Sequence, residues 1–354
     1  MADPIIVSET PEALAERVAE DFARLIQETL SHQDRFSVAL CGGVTPKQFY
    51  SRLAQPPYVS SIPWSRLWFF WGDERCVPKE HPDSNFRMAS ESLLQFVPAE
   101  PSHVIRMRGE EPPPQAAQEY ETGMRGFFRD PGFWPRFDLI LLGLGADGHT
   151  ASLMPGSPAV ANHVSEHLIE RRQPDAGSEQ PPQPRWVVHN VVRTLQTVRL
   201  TFTYPVMNQA KNIWFLVTGA KKAEPFAEVQ KGPNPNSPAS LVQPVNGILR
   251  WYVDKEIVYG RSKDPSVKKR SSDRSRQRRG FRFQRPAHGP AETHGRALPL
   301  RTIQQQAVLR RHARESQLSK RLCAPNKLDE AAPKGGSSGR RYGRPFLRYS
   351  RARH

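Results

Sequence analysis

The chain of 354 residues is long enough for one large domain or two ordinary ones, and its formal net charge of +16 is unevenly distributed. Residues 1–260 hold 25 basic and 29 acidic side chains, a net charge of −4, whereas residues 261–354 hold 26 and 6, a net charge of +20. Three scattered cysteines, Cys41, Cys76 and Cys323, exclude a disulfide framework and a thiolate metal site. We find neither a signal peptide nor an apolar run of the roughly 20 residues that span a bilayer, and therefore expect a cytoplasmic protein without membrane association.

Strand and helix patterns alternate through the first 260 residues. Residues 4–8 predict a first strand. Thr10 and Pro11 then begin an amphipathic helix predicted over residues 11–30, because threonine caps helices and proline needs no N–H donor at the first helical position. Further strands are predicted at residues 36–40, 67–71, 137–143, 186–192, 198–204 and 213–219, a helix at 47–54, and a closing helix or strand at 247–258.

Several of the strand-like runs are apolar throughout, which is typical of strands covered on both faces. The sequence therefore predicts an α/β, Rossmann-like domain over residues 1–260, with a mainly parallel sheet and helices on both faces. It does not determine the order of the strands. Residues 171–185 and 231–240 are rich in proline and polar side chains and predict surface loops. Residues 261–354 combine dense like charge with no periodic apolar face, which predicts a disordered basic C-terminal tail.

Four loops occupy the same position in this pattern, since each follows an apolar strand at its carboxyl end. They span residues 41–46, 72–75, 143–149 and 218–222. In open α/β sheets ligands bind beyond the carboxyl ends of the strands. We therefore expect the four loops to line one crevice.

The first loop has the composition of an anion site. Gly42 and Gly43 allow a tight turn that exposes backbone N–H groups, Thr45 adds a hydroxyl, and the following helix presents its positive end. Lys222, in the fourth loop, could add the point charge that a phosphate needs. The alternatives are an ordinary strand-to-helix turn and a solvated lysine.

Two further loops carry groups suited to acid–base chemistry. Arg75 beside Asp73 would form a fork for a carboxylate or phosphate, although charged residues after a buried strand also mark its exit into water. His149 follows a glycine turn at a strand end, where a neutral imidazole can accept a proton from water. Asp147 could fix its tautomer. The alternative is a structural histidine.

Two competing motifs are less favoured, and a third is absent. Gly143, Gly145 and Gly148 have the spacing of a dinucleotide-binding turn, but Pro155 and Gly156 interrupt the long helix that should follow. Residues 163–167 match a metalloprotease pattern without an evident third ligand. No nucleophile elbow is present, which favours attack by activated water over a covalent intermediate.

The motifs "LCGGVTPKQFY", "WGDERCVP…DSN", "LILLGLGADGHTASLMPGS" and "FLVTGAKKA" occur in this order. Together, over about residues 5–257, they resemble the 6-phosphogluconolactonase family, within the group that includes glucosamine-6-phosphate deaminases and isomerases. The resemblance implies hydrolysis of 6-phospho-D-glucono-1,5-lactone to 6-phospho-D-gluconate in the oxidative pentose phosphate pathway, without a metal or organic cofactor.

By the same resemblance, the family's general base falls on His149 and its active-site arginine on Arg75. Its phosphate-binding loop falls on Gly42, Gly43 and Thr45, with Lys222 as cationic partner. Asp147 joins the predicted catalytic residues, and Asp73 joins the predicted substrate-binding residues.

This chain departs from the family pattern in two places, and the group offers one alternative activity. The family commonly has serine where Val44 stands, and the segment 171–185 is longer than expected. The alternative activity is that of a glucosamine-6-phosphate deaminase or isomerase. Deaminases of the group continue the glycine turn as G-H-I-A-F-N-E-P with a catalytic glutamate, whereas this chain continues His149-Thr-Ala-Ser-Leu-Met-Pro.

The tail 261–354 has no counterpart in the family. One interpretation is a basic arm that binds nucleic acid non-specifically and with strong salt dependence. The other, which we favour, is an appended segment without function, such as a gene-model artefact. The sequence does not determine the oligomeric state, with a monomer slightly favoured.

Overall fold

The computed structural model describes residues 4–129, 134–169 and 185–259, and this part of the chain holds nine strands. A central sheet of six parallel strands has the order β1-β9-β8-β5-β2-β3, and a smaller antiparallel sheet has the order β4-β7-β6. The strands are β1 (Ile5–Ser8), β2 (Phe36–Leu40), β3 (Leu67–Trp71), β4 (Asp73–Arg75), β5 (Leu139–Leu142), β6 (Val187–Val192), β7 (Thr197–Phe202), β8 (Asn212–Val217) and β9 (Ile248–Asp254).

Helices separate most of the strands along the chain. The longest, α1, begins as its sequence predicts: the Thr10 hydroxyl accepts the Ala13 N–H, and Pro11 occupies the first helical position. The helices are α1 (Pro11–Leu30), α2 (Val44–Leu53), α3 (Tyr58–Ser61), α4 (Asn85–Ala89), α5 (Pro113–Phe128), α6 (Pro158–Ile169), α7 (Tyr204–Asn208), α8 (Ala223–Val229) and α9 (Lys255–Tyr259). None of these helices is both long and apolar enough to cross a membrane.

The central sheet is buried on both faces, with one hydrophobic core on each side. Successive residues of a strand point to opposite faces, and β5 shows the division: Leu139 and Leu141 pack with α1 and α2, whereas Ile140 and Leu142 pack with α5 and α8. The smaller sheet contributes to the second core through Val187, Leu200 and Phe202. The predicted α/β architecture, with helices on both faces, is confirmed.

Apart from shifts of one or two residues at strand ends, the predicted elements agree with the structure except in four places. The predicted helix 47–54 begins earlier, at Val44, and residues 247–258 form a strand followed by a helix rather than one element. Residues 73–75 were predicted as loop but form β4, because the chain beyond Gly72 pairs with β7. Residues 231–240 were predicted as a surface loop, yet Pro238, Ala239 and Ser240 are buried in a short 3-10 turn (Pro238–Leu241).

This turn has a structural role that its composition does not reveal. The Ala239 N–H donates to the Gly148 carbonyl, and the Tyr204 hydroxyl donates to the Pro238 carbonyl. The segment therefore holds the glycine turn in place through its hydrogen bond to Gly148.

Other predictions lie wholly or mostly outside the described residues. They concern the tail 261–354, the loop 171–185 and the side chains of the 163–167 motif beyond His163. The boundary between body and tail at residue 260 stays a prediction for the same reason.

Candidate active site

A cleft with a volume of about 690 Å³ lies at the carboxyl ends of four neighbouring strands, β8, β5, β2 and β3. Its walls come from the segments that follow these strands. Of the eight site residues that the sequence predicts, seven line it: Gly42, Gly43, Thr45, Asp73, Arg75, His149 and Lys222. The eighth, Asp147, contacts His149.

The first wall is the turn from β2 into α2. Gly43 directly precedes the first residue of α2. Its φ is +117°, a backbone conformation that residues other than glycine rarely adopt. No side chain caps this helix, so its first N–H groups face the cleft without a capping partner. The Thr45 hydroxyl lies 2.7 Å from the Thr218 hydroxyl, which joins this turn to the loop after β8.

The second wall is the glycine turn after β5. The Gly145 N–H donates to the His149 carbonyl at 2.7 Å, and a Cβ at Gly145 would lie 2.1 Å from His149 Nδ1. Only glycine therefore lets the imidazole fold back over the turn. The turn does not lead directly into a helix, since α6 begins only at Pro158, and the arrangement differs from a dinucleotide-binding motif.

His149 and Asp147 form a hydrogen-bonded pair in this turn. Their Nδ1 and Oδ1 atoms are 2.5 Å apart, and the His149 N–H also donates to Asp147 Oδ1 at 3.2 Å. The hydrogen bond from His149 lowers the pKa of Asp147 to about 2, so this carboxylate is charged at neutral pH. With Nδ1–H donating to Asp147, the Nε2 lone pair is left to accept a proton.

The third wall is the loop after β8, which carries Lys222. Burial lowers the pKa of Lys222, and the charge of Asp147 partly opposes this. The buried carboxylate of Asp254 accepts the Gly219 N–H at 2.8 Å and the Ile257 N–H at 3.1 Å. Asp254 thus fixes the loop to the start of α9.

The fourth wall is β4, where Asp73 has neighbours that the sequence did not predict. Its buried carboxylate accepts the Ser152 hydroxyl at 2.7 Å and the Asn85 amide at 3.2 Å. Arg75 instead donates to the backbone carbonyl of Asp83. Arg75 and Asp73 therefore form no ion pair with each other, and the fork for a carboxylate or phosphate stays a prediction.

Glu74 has a structural role. Burial raises its pKa, yet it accepts the N–H groups of Arg75, Asn85 and Phe86 and the hydroxyl of Ser84. These bonds attach the start of α4 to β4. All its acceptor positions face protein donors, so Glu74 is not a free base.

Among the polar residues that line the cleft, sequence reasoning missed Asn85, Arg199 and Glu256. Asn85 is 2% exposed and packs against Gly42, where a Cβ would lie 1.9 Å from its Oδ1. Its signal was the "DSN" already noted after Arg75. Arg199 gave no local signal, since it reaches the cleft only through the pairing of β7 with β4.

Within the described residues, no three His, Cys, Asp or Glu side chains lie close enough together to hold a metal ion. What the cleft offers is a helix N-terminus, cationic side chains at two ends and an imidazole between them. This set of groups suits an anionic organic substrate and proton transfer.

Comparison with known proteins decides the family. The family model described as "Glucosamine-6-phosphate isomerases/6-phosphogluconolactonase" matches residues 9–251. This chain belongs to that family. Two curated members are a 6-phosphogluconolactonase from Synechocystis, 36% identical with 72% of this chain and 97% of that protein covered, and a probable chloroplastic 6-phosphogluconolactonase 3 from Oryza sativa, 34% identical with 72% and 75% covered.

The fold is also shared with a solved member of the family. The crystal structure of a 6-phosphogluconolactonase from Thermotoga maritima has a TM-score of 0.56 and 26% identity, and the match covers 71% of this chain and 99% of that one. The family match stops before residue 260, where the basic composition begins.

Proposed function

We propose that the protein hydrolyses 6-phospho-D-glucono-1,5-lactone to 6-phospho-D-gluconate, a step of the oxidative pentose phosphate pathway, with His149 as general base. The observation that carries this proposal is the His149–Asp147 pair, held at 2.5 Å at the wall of a cleft that the start of α2 and Lys222 also line. Membership of the family and the names of its members support the substrate. A cytoplasmic location remains our expectation.

In this proposal the substrate's phosphate binds at the α2 end of the cleft. Gly42, Gly43 and Thr45 supply N–H groups and a hydroxyl, and Lys222 supplies a positive charge across from them. Val44, where the family commonly has serine, is 76% exposed. Its replacement removes one hydroxyl and leaves the backbone donors in place.

His149 acts on the water that attacks C1 of the lactone. Nε2 takes one proton from this water as the C–O bond forms, and Asp147 stabilises the resulting imidazolium. Arg75 offsets the negative charge that develops on the carbonyl oxygen. Loss of one such donor costs about 2.7–4 kcal/mol in other enzymes.

The collapse of this intermediate breaks the bond between C1 and the ring oxygen. The imidazolium returns its proton to that oxygen, which becomes the C5 hydroxyl of the product. The carboxylic acid then ionises at neutral pH. Water is the only co-reactant in these steps.

The rival activity is deamination of glucosamine 6-phosphate, whose phosphate would occupy the same end of the cleft. Deaminases of the group carry a glutamate five positions after the turn's histidine, where this chain has Met154. Met154 is 4% exposed and packed in the protein interior. It has no ionisable group that could take the glutamate's part in ring opening.

The test is turnover by the purified full chain. Freshly prepared 6-phosphogluconolactone should be hydrolysed well above its spontaneous rate, and glucosamine 6-phosphate should release no ammonia. Unphosphorylated gluconolactone serves as the control for phosphate anchoring and should be hydrolysed much less efficiently. Ammonia release without lactone hydrolysis would overturn the proposal in favour of the deaminase.

A further inference from the structure

The segment that follows His149 forms a turn whose backbone conformation its own sequence disfavours. The Leu153 N–H donates to the Thr150 carbonyl at 2.9 Å, which closes a turn over residues 150–153. Ala151, the first central residue of this turn, has φ +46°. Residues other than glycine rarely adopt this left-handed conformation, and they keep it only where surrounding contacts hold it. The contacts that hold the turn must therefore come from outside it.

Those contacts converge on Ser152, the second central residue of the turn. Its hydroxyl donates to Asp73 Oδ2 at 2.7 Å, its N–H donates to the Thr201 hydroxyl at 3.3 Å, and its carbonyl accepts the side-chain amide of Asn190 at 2.8 Å. All four residues are buried. The hydroxyl, the N–H and the carbonyl of Ser152 thus each have a partner outside the turn.

Each partner comes from a different strand of the smaller sheet: Asp73 from β4, Thr201 from β7 and Asn190 from β6. In the register of this sheet, Asp73 lies opposite Thr201. Asn190 lies opposite Arg199, two residues before Thr201 on β7, so the three side chains share one face. The other face of β7 carries Leu200 into the hydrophobic core. One face of the smaller sheet is thus polar where it meets Ser152, although the residues there are buried.

Each of the three partners is itself held by a second hydrogen bond. These bonds join Asp73 to the Asn85 amide, Thr201 to the Phe202 carbonyl and Asn190 to the Ala159 N–H. A buried polar network with every member paired is rigid, whereas one that loses a member leaves buried groups unpaired. The smaller sheet is therefore a rigid support for Ser152.

We propose that Ser152 is a positioning residue for His149, and that the smaller sheet places the imidazole by holding Ser152 in the turn. This inference rests on the proposed function, in which His149 is the general base. It also gives the buried carboxylate of Asp73 a role that acts through Ser152.

The connection from Ser152 to the imidazole is short. Only Thr150 and Ala151 separate Ser152 from His149, and the Thr150 hydroxyl donates to the Gly143 carbonyl at the end of β5. Without the bonds of Ser152, Ala151 can return to a negative φ, and this rotation redirects the chain beside His149. Ala151 itself lines the cleft. A displacement of a catalytic group by about 1 Å can cost a factor of about 100 in rate.

The test compares Ser152→Ala with Ser37→Ala. Ser37 is a matched control, because it is also buried and donates its hydroxyl to a buried carboxylate, that of Asp138, at 2.8 Å and outside the cleft. Each variant loses one buried hydrogen bond to a carboxylate, so both should have a lower Tm than the wild type. Only Ser152→Ala should lower the kcat of lactone hydrolysis, by about 10- to 100-fold, with an unchanged calorimetric Kd of 6-phosphogluconate.

The imidazole of His149 provides a second readout, which does not depend on activity. NMR of protein with isotope-labelled histidine resolves the ring nitrogens, and the signals of His149 are those that His149→Gln removes. They should be sharp in the wild type and in Ser37→Ala. In Ser152→Ala they should be broadened or split, because the ring samples more than one position. A loss of stability alone would not change them.

Thr201→Val provides an independent variant in case Ser152→Ala does not fold. Valine has nearly the same shape as threonine and suits a strand, but it lacks the hydroxyl that accepts the Ser152 N–H. This variant should also lower kcat with an unchanged Kd, and it should broaden the His149 signals.

Two results would overturn the inference while leaving the lactonase proposal intact. One is an unchanged kcat in folded Ser152→Ala or Thr201→Val protein. The other is a loss of kcat of the same size in Ser37→Ala, since the loss would then follow stability alone. Failure of the proposed function would show differently, as wild-type protein that does not accelerate lactone hydrolysis. The ring signals of His149 would then still decide whether Ser152 positions the imidazole.

Discussion

At the scale of single residues, Asp147 determines what His149 can do. The carboxylate is held by the ring N–H and the backbone N–H of the same histidine, which lowers the pKa of Asp147 to about 2. It therefore stays charged throughout the neutral range and fixes the tautomer in which Nε2 carries the lone pair. A turn of five residues, from Gly145 to His149, thus contains both the proposed base and the group proposed to orient it.

Asp147→Asn should lower kcat without changing the Kd of 6-phosphogluconate. The amide keeps the size of the carboxylate but removes the charge that stabilises the imidazolium. A general base contributes a rate factor of about 10² to 10⁴, and we expect the decrease in kcat to be smaller than this full factor. Steady-state kinetics together with calorimetry measure the two quantities. A variant with normal kcat would show that Asp147 has no part in the reaction.

Lys222 predicts a pH dependence of binding. Burial lowers the pKa of Lys222 below the ordinary value of 10.5, and only the cation attracts a phosphate. The affinity for 6-phosphogluconate should therefore decline as the pH rises through this lowered pKa, starting below pH 10.5. Lys222→Arg should remove the decline, because arginine stays charged. Calorimetry between pH 7 and pH 10 provides the measurement, and an identical decline in both proteins would contradict the assignment.

At the scale of elements, the contact between the β2–α2 turn and α4 controls the shape of the cleft. A Cβ at Gly42 would lie 1.9 Å from Asn85 Oδ1, and Asn85 in turn donates to the carboxylate of Asp73. Glycine is thus required at the two positions of the turn for different reasons. Gly43 needs its backbone conformation, whereas Gly42 needs the space.

Gly42→Ala should therefore reduce lactone hydrolysis strongly, because the new methyl group displaces Asn85 and widens the turn. Gly126→Ala, on the exposed side of α5 with nothing within 4 Å of its Cβ position, is the matched control. The control should keep full activity and gain about 0.5–1 kcal/mol in helix stability. Equal activity of the two variants would show that the Gly42 contact does not shape the cleft.

Most strands could be predicted because they are short, apolar and flanked by turn residues, as in residues 36–40 and 67–71. The helix α5 was not located, since Gly123 and Gly126 weaken its helical signal and prolines occupy its N-cap and its first two positions. β4 was missed for a different reason. Its three residues are a strand only because β7 supplies hydrogen-bond partners from far along the chain.

At the scale of the whole molecule, the difference between local sequence signals and contacts from distant parts of the chain explains what could be predicted of the site. Parallel strands end at one edge of their sheet, so the four loops could be expected to meet although the strand order was unknown. Arg199 could not be found this way, because its place depends on the register of a second, antiparallel sheet. The supporting role of the 238–241 turn was hidden likewise, since its contacts are with distant backbone atoms.

The division of the chain at about residue 260 gives a further prediction. A chain ending at residue 260 should match the full chain in kcat/KM, because the family match ends at residue 251. If the basic tail is a nucleic-acid-binding arm, only the full chain should shift RNA or DNA in a mobility assay, and the shift should weaken steeply with salt. Binding by the truncated chain would exclude the arm. Loss of catalysis on truncation would contradict the proposed boundary.

The most direct measurement of the central claim is the turnover number of His149→Gln beside its affinity for 6-phosphogluconate. His189→Gln is the control, since this histidine lies on β6 outside the cleft. We predict a kcat lowered about 10²- to 10⁴-fold after subtraction of spontaneous hydrolysis, with an unchanged Kd, and no effect in the control. A folded His149→Gln protein that hydrolyses the lactone at the wild-type rate would contradict the account.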